Sequence, residues 1–340
     1  METPTIFNEI ASRLSLGNII SPAKKLTGGF AHEVFSLETD SGKYAIKLLN
    51  PEIMQYALDM LTASAQLEDK LQAHNIPIVP ALEFNGTKMQ AIDNQHFYIF
   101  DFIEGQTLAT QDIKKAHCEI IGAVLAQIHN IPHDAEGFER YETNIDWDDY
   151  IQIATEKDPA IASLLIENRG LLYKAQTDMT GAYQGISNCT VISNGDMDSK
   201  NVLWVDGKPH IIDLEYLTYT NPYAEVFQLA LCWSGCEHYA IDYELLKAFM
   251  TAYTQGYGAI AEDWEVLYKS NAGSRLEWLE LNVRKALMLD GDSDADKKIG
   301  KKYAEEAMKY TVYYAHIKDE LLRQLKSFNL ADNDSATQLP

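Results

Sequence analysis

Three polar residues around a short predicted hairpin constrain this chain more than any other feature. The segment from Val191 to Tyr216 reads VISNGDMDSKNVLWVDGKPHIIDLEY. Asp206-Gly207 between two apolar runs is a strong signal for a two-residue β-hairpin turn. Antiparallel pairing across that turn sets Asn201 opposite Ile212, so Asn201 and Asp213 emerge together at the open end of the hairpin. Such oxygen donors are costly to bury alone and suit Mg²⁺, which predicts a metal site there.

Asp196 precedes Asn201 by five residues and lies on the loop that enters the same open end. An Asp, an Asn five residues later and then an apolar-apolar-Asp run form the pattern of the kinase catalytic loop. An Asp followed five residues later by an Asn is weak evidence on its own, but the same pattern combined with a hairpin is specific evidence for such a loop. We therefore expect Asp196 to contact a substrate hydroxyl in a phosphoryl-transfer reaction.

The N-terminal part of the chain supplies a second, independent signal. Gly28 and Gly29 lie between two strand-like runs, where backbone amides can approach phosphates closely. In YAIKLL, Ala45 and Lys47 fall on one face of a strand, which sets a small residue toward adenine and a cation toward the phosphates. The order of Gly-rich hairpin, strand lysine, helix, strand and catalytic loop is the order found in kinases.

The pattern of elements predicts an α+β, protein-kinase-like fold of two lobes. Residues 1–103 are expected to form a nucleotide-binding lobe, with a small five-stranded antiparallel sheet plus a helix that starts at Pro51. Residues 104–330 would form a larger, mostly helical lobe with the catalytic loop and the substrate site, and residues 331–340 a flexible tail.

The chain contains no apolar run of 18 residues, has an acidic start and carries four cysteines, which predicts a cytoplasmic protein with reduced thiols.

The charge balance limits the classes of partner. Fifty acidic and 28 basic residues give a formal net charge of −22. This balance argues against nucleic acid, which needs a basic face, and favours a cationic small molecule. Solubility alone is the other explanation of such acidity. We expect no membrane partner and a monomer.

The chain resembles the aminoglycoside phosphotransferase and choline kinase superfamily over roughly residues 20–290. NGDMDSKNVLW is similar to the catalytic loop of that family, and IIDLEYLTYTNPYAEVFQLALCWSG is similar to its metal-site strand and following helix. The resemblance implies that Asp196 is the catalytic base or the residue that orients the hydroxyl, and that Asn201 and Asp213 hold Mg²⁺. In addition, it implies that Lys47 binds the α- and β-phosphates of ATP or GTP. It also implies that the main chain of Asp101, Phe102 and Ile103 reads adenine.

Two positions depart from the family pattern, and the acidic partner of the predicted phosphate-binding lysine has several candidates. Asn194 stands where the family usually has a histidine, and Gln228 stands where relatives often have an aspartate. The acidic partner of Lys47 is expected to be Glu68 on the helix after Pro51, with Asp69 and Asp59 as alternatives.

Several acids are candidates for binding the substrate. A group around Trp147 and a pair on a late helix would suit an amine-bearing ligand, although a helix start and a solvated helix face explain them equally well. Two further acids lie beside the catalytic residues and could instead bond the backbone or form a structural salt bridge. These candidates are Asp146, Asp148, Asp149, Glu277, Glu280, Asp198 and Glu215.

These signals predict a Mg²⁺-dependent small-molecule O-phosphotransferase whose acceptor is an aminoglycoside-like antibiotic. Two alternatives stay open. One is a kinase for choline, ethanolamine or another amino alcohol, and the other is a nucleotide-binding pseudokinase, which Asn194 would favour.

Overall fold

Five antiparallel strands form one sheet in the N-terminal part of the computed structural model, which describes residues 3–26, 32–140, 142–291 and 293–335. The strands are β1 (Ile19–Lys25), β2 (Glu33–Thr39), β3 (Gly42–Leu48), β4 (Gln90–Ile92) and β5 (Gln95–Asp101). Their order in the sheet is β1-β2-β3-β5-β4. Helix α1 (Thr3–Arg13) precedes the sheet, and α2 (Pro51–Ala73) follows β3. The predicted five-stranded sheet with a helix that starts at Pro51 is confirmed.

The two faces of the sheet carry different helices. Ile10 of α1 packs with Ile46, Leu48 and other apolar residues of the sheet in one buried cluster. Leu61 of α2 packs with Tyr98 in a second cluster. Because side chains alternate along a strand and Lys47 pairs with Tyr98 across the ladder, Lys47 projects to the face that α2 covers.

The contacts divide the chain into two units, residues 1–109 with 192–218 and residues 110–191 with 219–340. The first unit therefore includes the catalytic-loop segment, which the sequence had assigned to the C-terminal lobe. Backbone hydrogen bonds explain the difference. The amide of Val79 donates to the carbonyl of Ile211 at 2.8 Å, and Gln106 exchanges two bonds with Trp204, at 3.3 and 2.9 Å.

The catalytic-loop segment contains the predicted hairpin. Strand β6 (Val191–Ser193) leads into the loop, β7 (Val202–Val205) pairs with β8 (Lys208–Ile211), and β9 (Thr218–Thr220) follows. Asp206 and Gly207 both have positive φ, 48° and 74°, as a tight primed turn between two strands requires.

The second unit is mostly helical among its described residues. Its helices are α3 (Lys115–His129), α4 (Trp147–Lys157), α5 (Pro159–Gly185), α6 (Pro222–Trp233), α7 (Tyr243–Tyr257), α8 (Trp264–Ser270), α9 (Gly273–Ala286), α10 (Asp294–His316) and α11 (Lys318–Ser335). Helix α11 extends five residues into the segment 331–340 that was predicted to be a flexible tail. Residues 336–340 lie outside the described residues.

Two sets of helices build the core of the second unit. The fully buried Trp147 of α4 packs with apolar residues of α5, α9 and α10, such as Leu165, Leu279 and Met308. Helix α3 packs closely against α7 at Gly122. Throughout the described part of the chain, every helix is too short or too polar to cross a membrane.

The contact at Gly122 makes a prediction about stability. A Cβ at this position would overlap the carbonyl oxygen of Phe249 and lie 3.3 Å from the backbone nitrogen of Tyr253. We therefore expect Gly122→Ala to lower the free energy of unfolding by about 1–3 kcal/mol, because α3 and α7 must move apart. Gly181→Ala on α5 is the control. Nothing lies within 4 Å of a Cβ there, so the better helix propensity of alanine should add about 0.5–1 kcal/mol.

Thermal and urea unfolding of the two variants, compared with the wild type, measure this difference. A Gly122→Ala protein as stable as the Gly181→Ala protein would contradict the close packing of α3 on α7.

Candidate active site

The catalytic loop is held by its own backbone and side chains. Gly195 has a φ of +63°, a left-handed conformation that glycine adopts without strain. The amide of Asp196 donates to the carbonyl of Asn194 at 2.7 Å. Asp198 caps the one-turn helix Ser199–Asn201, since its Oδ1 accepts from the amide of Lys200 at 2.9 Å. Asp198, a substrate candidate from the sequence, therefore has a structural role in this loop.

Asp196 and Asn201 contact each other directly. The amide nitrogen of Asn201 donates to the carboxylate Oδ2 and to the main-chain carbonyl of Asp196, at 2.8 Å each. Partial burial raises the pKa of Asp196, while the ammonium of Lys200, 3.2 Å from its Oδ1, opposes that effect. Lys200 also lies 2.8 Å from a carboxylate oxygen of Asp198. The charge of Lys200 therefore lies beside the carboxylate of the predicted catalytic residue.

The hairpin delivers Asn201 and Asp213 to its open end, as its turn predicted. The amide of Ile212 donates to the carbonyl of Asn201 at 2.9 Å, which is the expected register. Asp213 follows immediately, with a left-handed φ of 66° that is uncommon for a residue with a side chain. This conformation redirects the chain at the end of β8.

Lys47 of β3 lies against this end of the hairpin. Its ammonium contacts carboxylate oxygens of both Asp213 and Glu215. Burial alone would lower the pKa of Lys47, but the carboxylates of Glu215 and Asp213 raise it above its usual value. Lys47 is therefore a fixed positive charge. Burial acts in the opposite sense on Glu215 and raises its pKa.

The oxygen donors of Asn201 and Asp213 fit a magnesium ion. The amide nitrogen of Asn201 is used by Asp196, which leaves its carbonyl oxygen as a ligand. The Asp213 side chain is 33% exposed, against 5% for Glu215. The described residues contain no cluster of three or more His, Cys, Asp or Glu side chains that could hold a metal ion. Two protein oxygens agree with the behaviour of Mg²⁺, which usually completes its shell with water and substrate phosphates.

The expectation that Glu68 pairs with Lys47 is wrong. Glu68 accepts from the ammonium of Lys88 at 2.7 Å and from the amide of Ala81 at 3.0 Å. Asp69, one of the alternatives, also pairs with Lys88. The sequence places Glu68 on the helix after Pro51, but it does not reveal the contact with Lys88, which lies 20 positions further along the chain.

The predicted adenine-binding segment lies at the end of β5. Asp101 is its last residue and pairs with Tyr44 across the ladder. The amide of Phe102 donates to the carbonyl of Lys43 at 3.1 Å, so it is already engaged in the sheet. The predicted phosphate-binding Gly28 and Gly29 lie outside the described residues.

The three acids predicted around Trp147 form the start of α4 in the second unit. Asp146 caps this helix and accepts from the amides of Asp148 and Asp149 at 3.1 Å each. The guanidinium of Arg169 donates to both carboxylate oxygens of Asp148. The helix-start explanation thus accounts for Asp146, and an ion pair neutralises Asp148.

The two acids of α9 have different partners. Glu277 accepts from the hydroxyl of Thr143 at 3.1 Å, and Glu280 accepts from the hydroxyl of Tyr150 at 2.7 Å. Neither of these donors carries a charge.

Comparison with known proteins identifies the class to which this fold and site belong. A sequence model of the APH phosphotransferase enzyme family matches residues 22–268. The chain belongs to this family.

Individual relatives are distant. Stress response kinase A of Salmonella choleraesuis (strain SC-B67) is 22% identical over 187 residues, which cover 52% of this chain and 53% of that protein. Serine/threonine protein kinase RdoA of Salmonella typhimurium (strain LT2) matches with the same identity and coverage. The chain therefore spans about half the length of the curated relatives it matches.

Solved structures agree on the fold. Spectinomycin phosphotransferase APH(9)-Ia in complex with ADP and spectinomycin has a TM-score of 0.70 at 15% identity, covering 91% of this chain and 98% of that one. Amicoumacin kinase hAmiN, in complex with AMP-PNP, Ca²⁺ and Ami, has a TM-score of 0.60 at 12% identity, covering 91% of this chain and 94% of that one. Choline kinase from Cryptosporidium parvum has a TM-score of 0.52 at 16% identity, covering 94% and 96%.

Asn194, at the position where the family usually has histidine, yields a prediction about stability. It is 1% exposed, and neither polar atom of its side chain has a hydrogen-bond partner among the described residues. Replacing such a group with an apolar one of similar size should be neutral or stabilising. We expect Asn194→Leu to leave the melting temperature unchanged or higher.

Asn221 provides the matched control, because it is equally buried but fully bonded. It caps α6 through the amides of Tyr223 and Ala224, at 2.9 and 3.0 Å, and donates to the carbonyl of Ser187 at 3.0 Å. Asn221→Leu should therefore cost about 1–3 kcal/mol. Equal losses of melting temperature in both variants would show that the Asn194 amide is satisfied in solution.

Proposed function

We propose that this protein is a Mg²⁺-dependent small-molecule O-phosphotransferase that moves the γ-phosphate of ATP or GTP to a hydroxyl of a cationic acceptor. The observation that carries the proposal is the group formed by Asp196, Asn201, Asp213 and Lys47 within one unit of the chain. A half-exposed carboxylate, a pair of hard oxygen ligands and a buried lysine are the parts that phosphoryl transfer requires.

Each residue has a distinct role in this reaction. Asp196 orients the acceptor hydroxyl and takes its proton, while the amide of Asn201 holds the Asp196 carboxylate in place. Lys47 donates to oxygens of the nucleotide phosphates. Mg²⁺ bound by Asn201 and Asp213 would supply positive charge to the phosphate oxygens. Adenine would contact the main chain of the segment from Asp101 to Ile103.

The acceptor is proposed to be an amine-bearing, aminoglycoside-like antibiotic. The chain has a net charge of −22, which attracts cations. Two structurally similar enzymes are kinases of the antibiotics spectinomycin and amicoumacin. Glu277 and Glu280 are candidates for contacting an ammonium group, because the described donors to them are hydroxyls. The hydroxyl of Tyr150 that donates to Glu280 also accepts from the guanidinium of Arg284 at 3.1 Å, so the charge of Glu277 is the less compensated of the two.

An amino alcohol such as choline or ethanolamine is the second candidate acceptor. The likeness to choline kinase favours it, and the same negative charge would serve a quaternary ammonium. The nucleotide donor, the metal and the protein's expected monomeric state are common to both candidates.

A nucleotide-consumption assay tests the proposal. Purified protein, Mg²⁺ and ATP or GTP are combined in turn with aminoglycosides, other antibiotics, choline, ethanolamine and a protein acceptor. We expect turnover with one cationic acceptor, and loss of turnover after chelation of the metal. Asp196→Asn should lower kcat by about 10²–10⁴-fold, since it removes the proton acceptor but keeps the shape.

Asp206→Asn is the control, because it changes a carboxylate at the other end of the same hairpin, in a turn where asparagine tolerates positive φ. It should keep full activity. Undiminished turnover in Asp196→Asn would refute the catalytic assignment. Tight nucleotide binding without turnover of any acceptor would instead indicate a pseudokinase.

A further inference from the structure

Helix α2 offers no acid to Lys47 among its described side chains. Its buried residues, among those described, are Met54, Ala57, Leu61, Ser64, Leu67, Glu68 and Leu71. Glu68 is the one acid among them, and it is bonded to Lys88 and to the amide of Ala81. Beside Asp213, helix α2 contributes a neutral group, the hydroxyl of Ser64, which donates to the carbonyl of Leu214 at 2.6 Å.

Glu215 makes the contact with Lys47 that an acid on helix α2 would otherwise make. Its carboxylate contacts the ammonium of Lys47, and its side chain is 5% exposed. His32 lies on another side, with Nε2 3.7 Å from Oε1 of Glu215. Because Nδ1 of His32 accepts from the amide of Asn50 at 3.0 Å, the proton of a neutral His32 is on Nε2 and faces Glu215.

The two acids on Lys47 differ in how freely they can change partner. Asp213 is a third exposed, whereas Glu215 is enclosed by Lys47 and His32. A nucleotide and its metal can therefore reach Asp213 while Glu215 keeps its contact with the lysine.

We propose that Glu215 is the positioning residue of Lys47, in place of an acid on helix α2. Glu215 holds the ammonium at the site where it meets the nucleotide phosphates, and Lys47 exchanges its bond to Asp213 for phosphate oxygens when the nucleotide binds. Glu68 has no part in this and serves to fix the loop that carries Lys88. The inference rests on the proposed nucleotide-dependent function.

The test compares nucleotide binding and kinetics in Glu215→Gln and Glu68→Gln. Each variant neutralises one buried glutamate. The two residues are nearly equally exposed, at 8% of the whole residue for Glu215 and 6% for Glu68. We expect Glu215→Gln to weaken binding of a non-hydrolysable ATP analogue, and to raise the KM for nucleotide, by about 10-fold or more, because a buried cation loses its fixed partner. Glu68→Gln should lower the melting temperature but leave both binding parameters within about twofold of the wild type.

A double-variant cycle separates positioning from general destabilisation. If Glu215 acts through Lys47, then adding Glu215→Gln to Lys47→Met should weaken nucleotide binding no further than Lys47→Met alone. Glu215→Asp, which keeps the charge, should recover part of the affinity and provides the measurement if Glu215→Gln fails to fold.

The outcomes distinguish the inference from the function on which it rests. A wild-type protein that binds no nucleotide overturns both. A wild type that binds nucleotide overturns the inference alone if Glu215→Gln binds equally well, if Glu68→Gln loses as much affinity, or if the effects of Lys47→Met and Glu215→Gln add in full.

Discussion

A lysine that is 8% exposed can keep its charge only if anions replace the water it has lost. The first unit meets this requirement for Lys47 by bringing Asp213 to it across 166 positions of sequence. The strand that carries the lysine is fixed in the middle of a five-stranded sheet, and the segment that carries the acids is fixed by main-chain bonds to residues 77–79 and to Gln106. These bonds explain why residues 192–218 group with the N-terminal sheet rather than with the helices that precede them.

The hairpin brings two residues that are separated in the sequence, Asn201 and Asp213, to one open end. Its turn places two consecutive residues at positive φ, which fixes the register of β7 and β8 without help from other elements. That register sets Asn201 beside Ile212 and places Asp213, the proposed metal ligand, at the next position. The left-handed backbone of Asp213 is the kind of local strain that accumulates at functional sites, because the surrounding bonds hold it in place.

Local rules predicted these features, and the features they missed depend on long-range contacts. Strand alternation placed Lys47 on one face, the Asp206-Gly207 turn set the hairpin register, and Pro51 marked the start of α2. The same rules could not choose the partner of Lys47, since they place Glu68 on the helix after Pro51 but do not show which cation it contacts. Glu215 was visible as an acid two residues after Asp213, yet its contact depends on how the hairpin docks beside β3. The unit boundary was missed for the same reason.

The candidates for binding the acceptor show a further limit of prediction from sequence. Acids that look equivalent in the sequence differ in the structure, because only some of them have a positively charged partner. From sequence, Asp148 and Glu280 are equivalent acids on helices of one unit. In the structure, the guanidinium of Arg169 neutralises Asp148 with two bonds, whereas the described donor to Glu280 is the hydroxyl of Tyr150. A neutral donor satisfies one lone pair and leaves the negative charge, so an ammonium group gains more from Glu280 than from Asp148. For the proposed cationic acceptor, the candidate acids are therefore those without a direct ion pair among the described residues, and counting acidic residues alone cannot identify them.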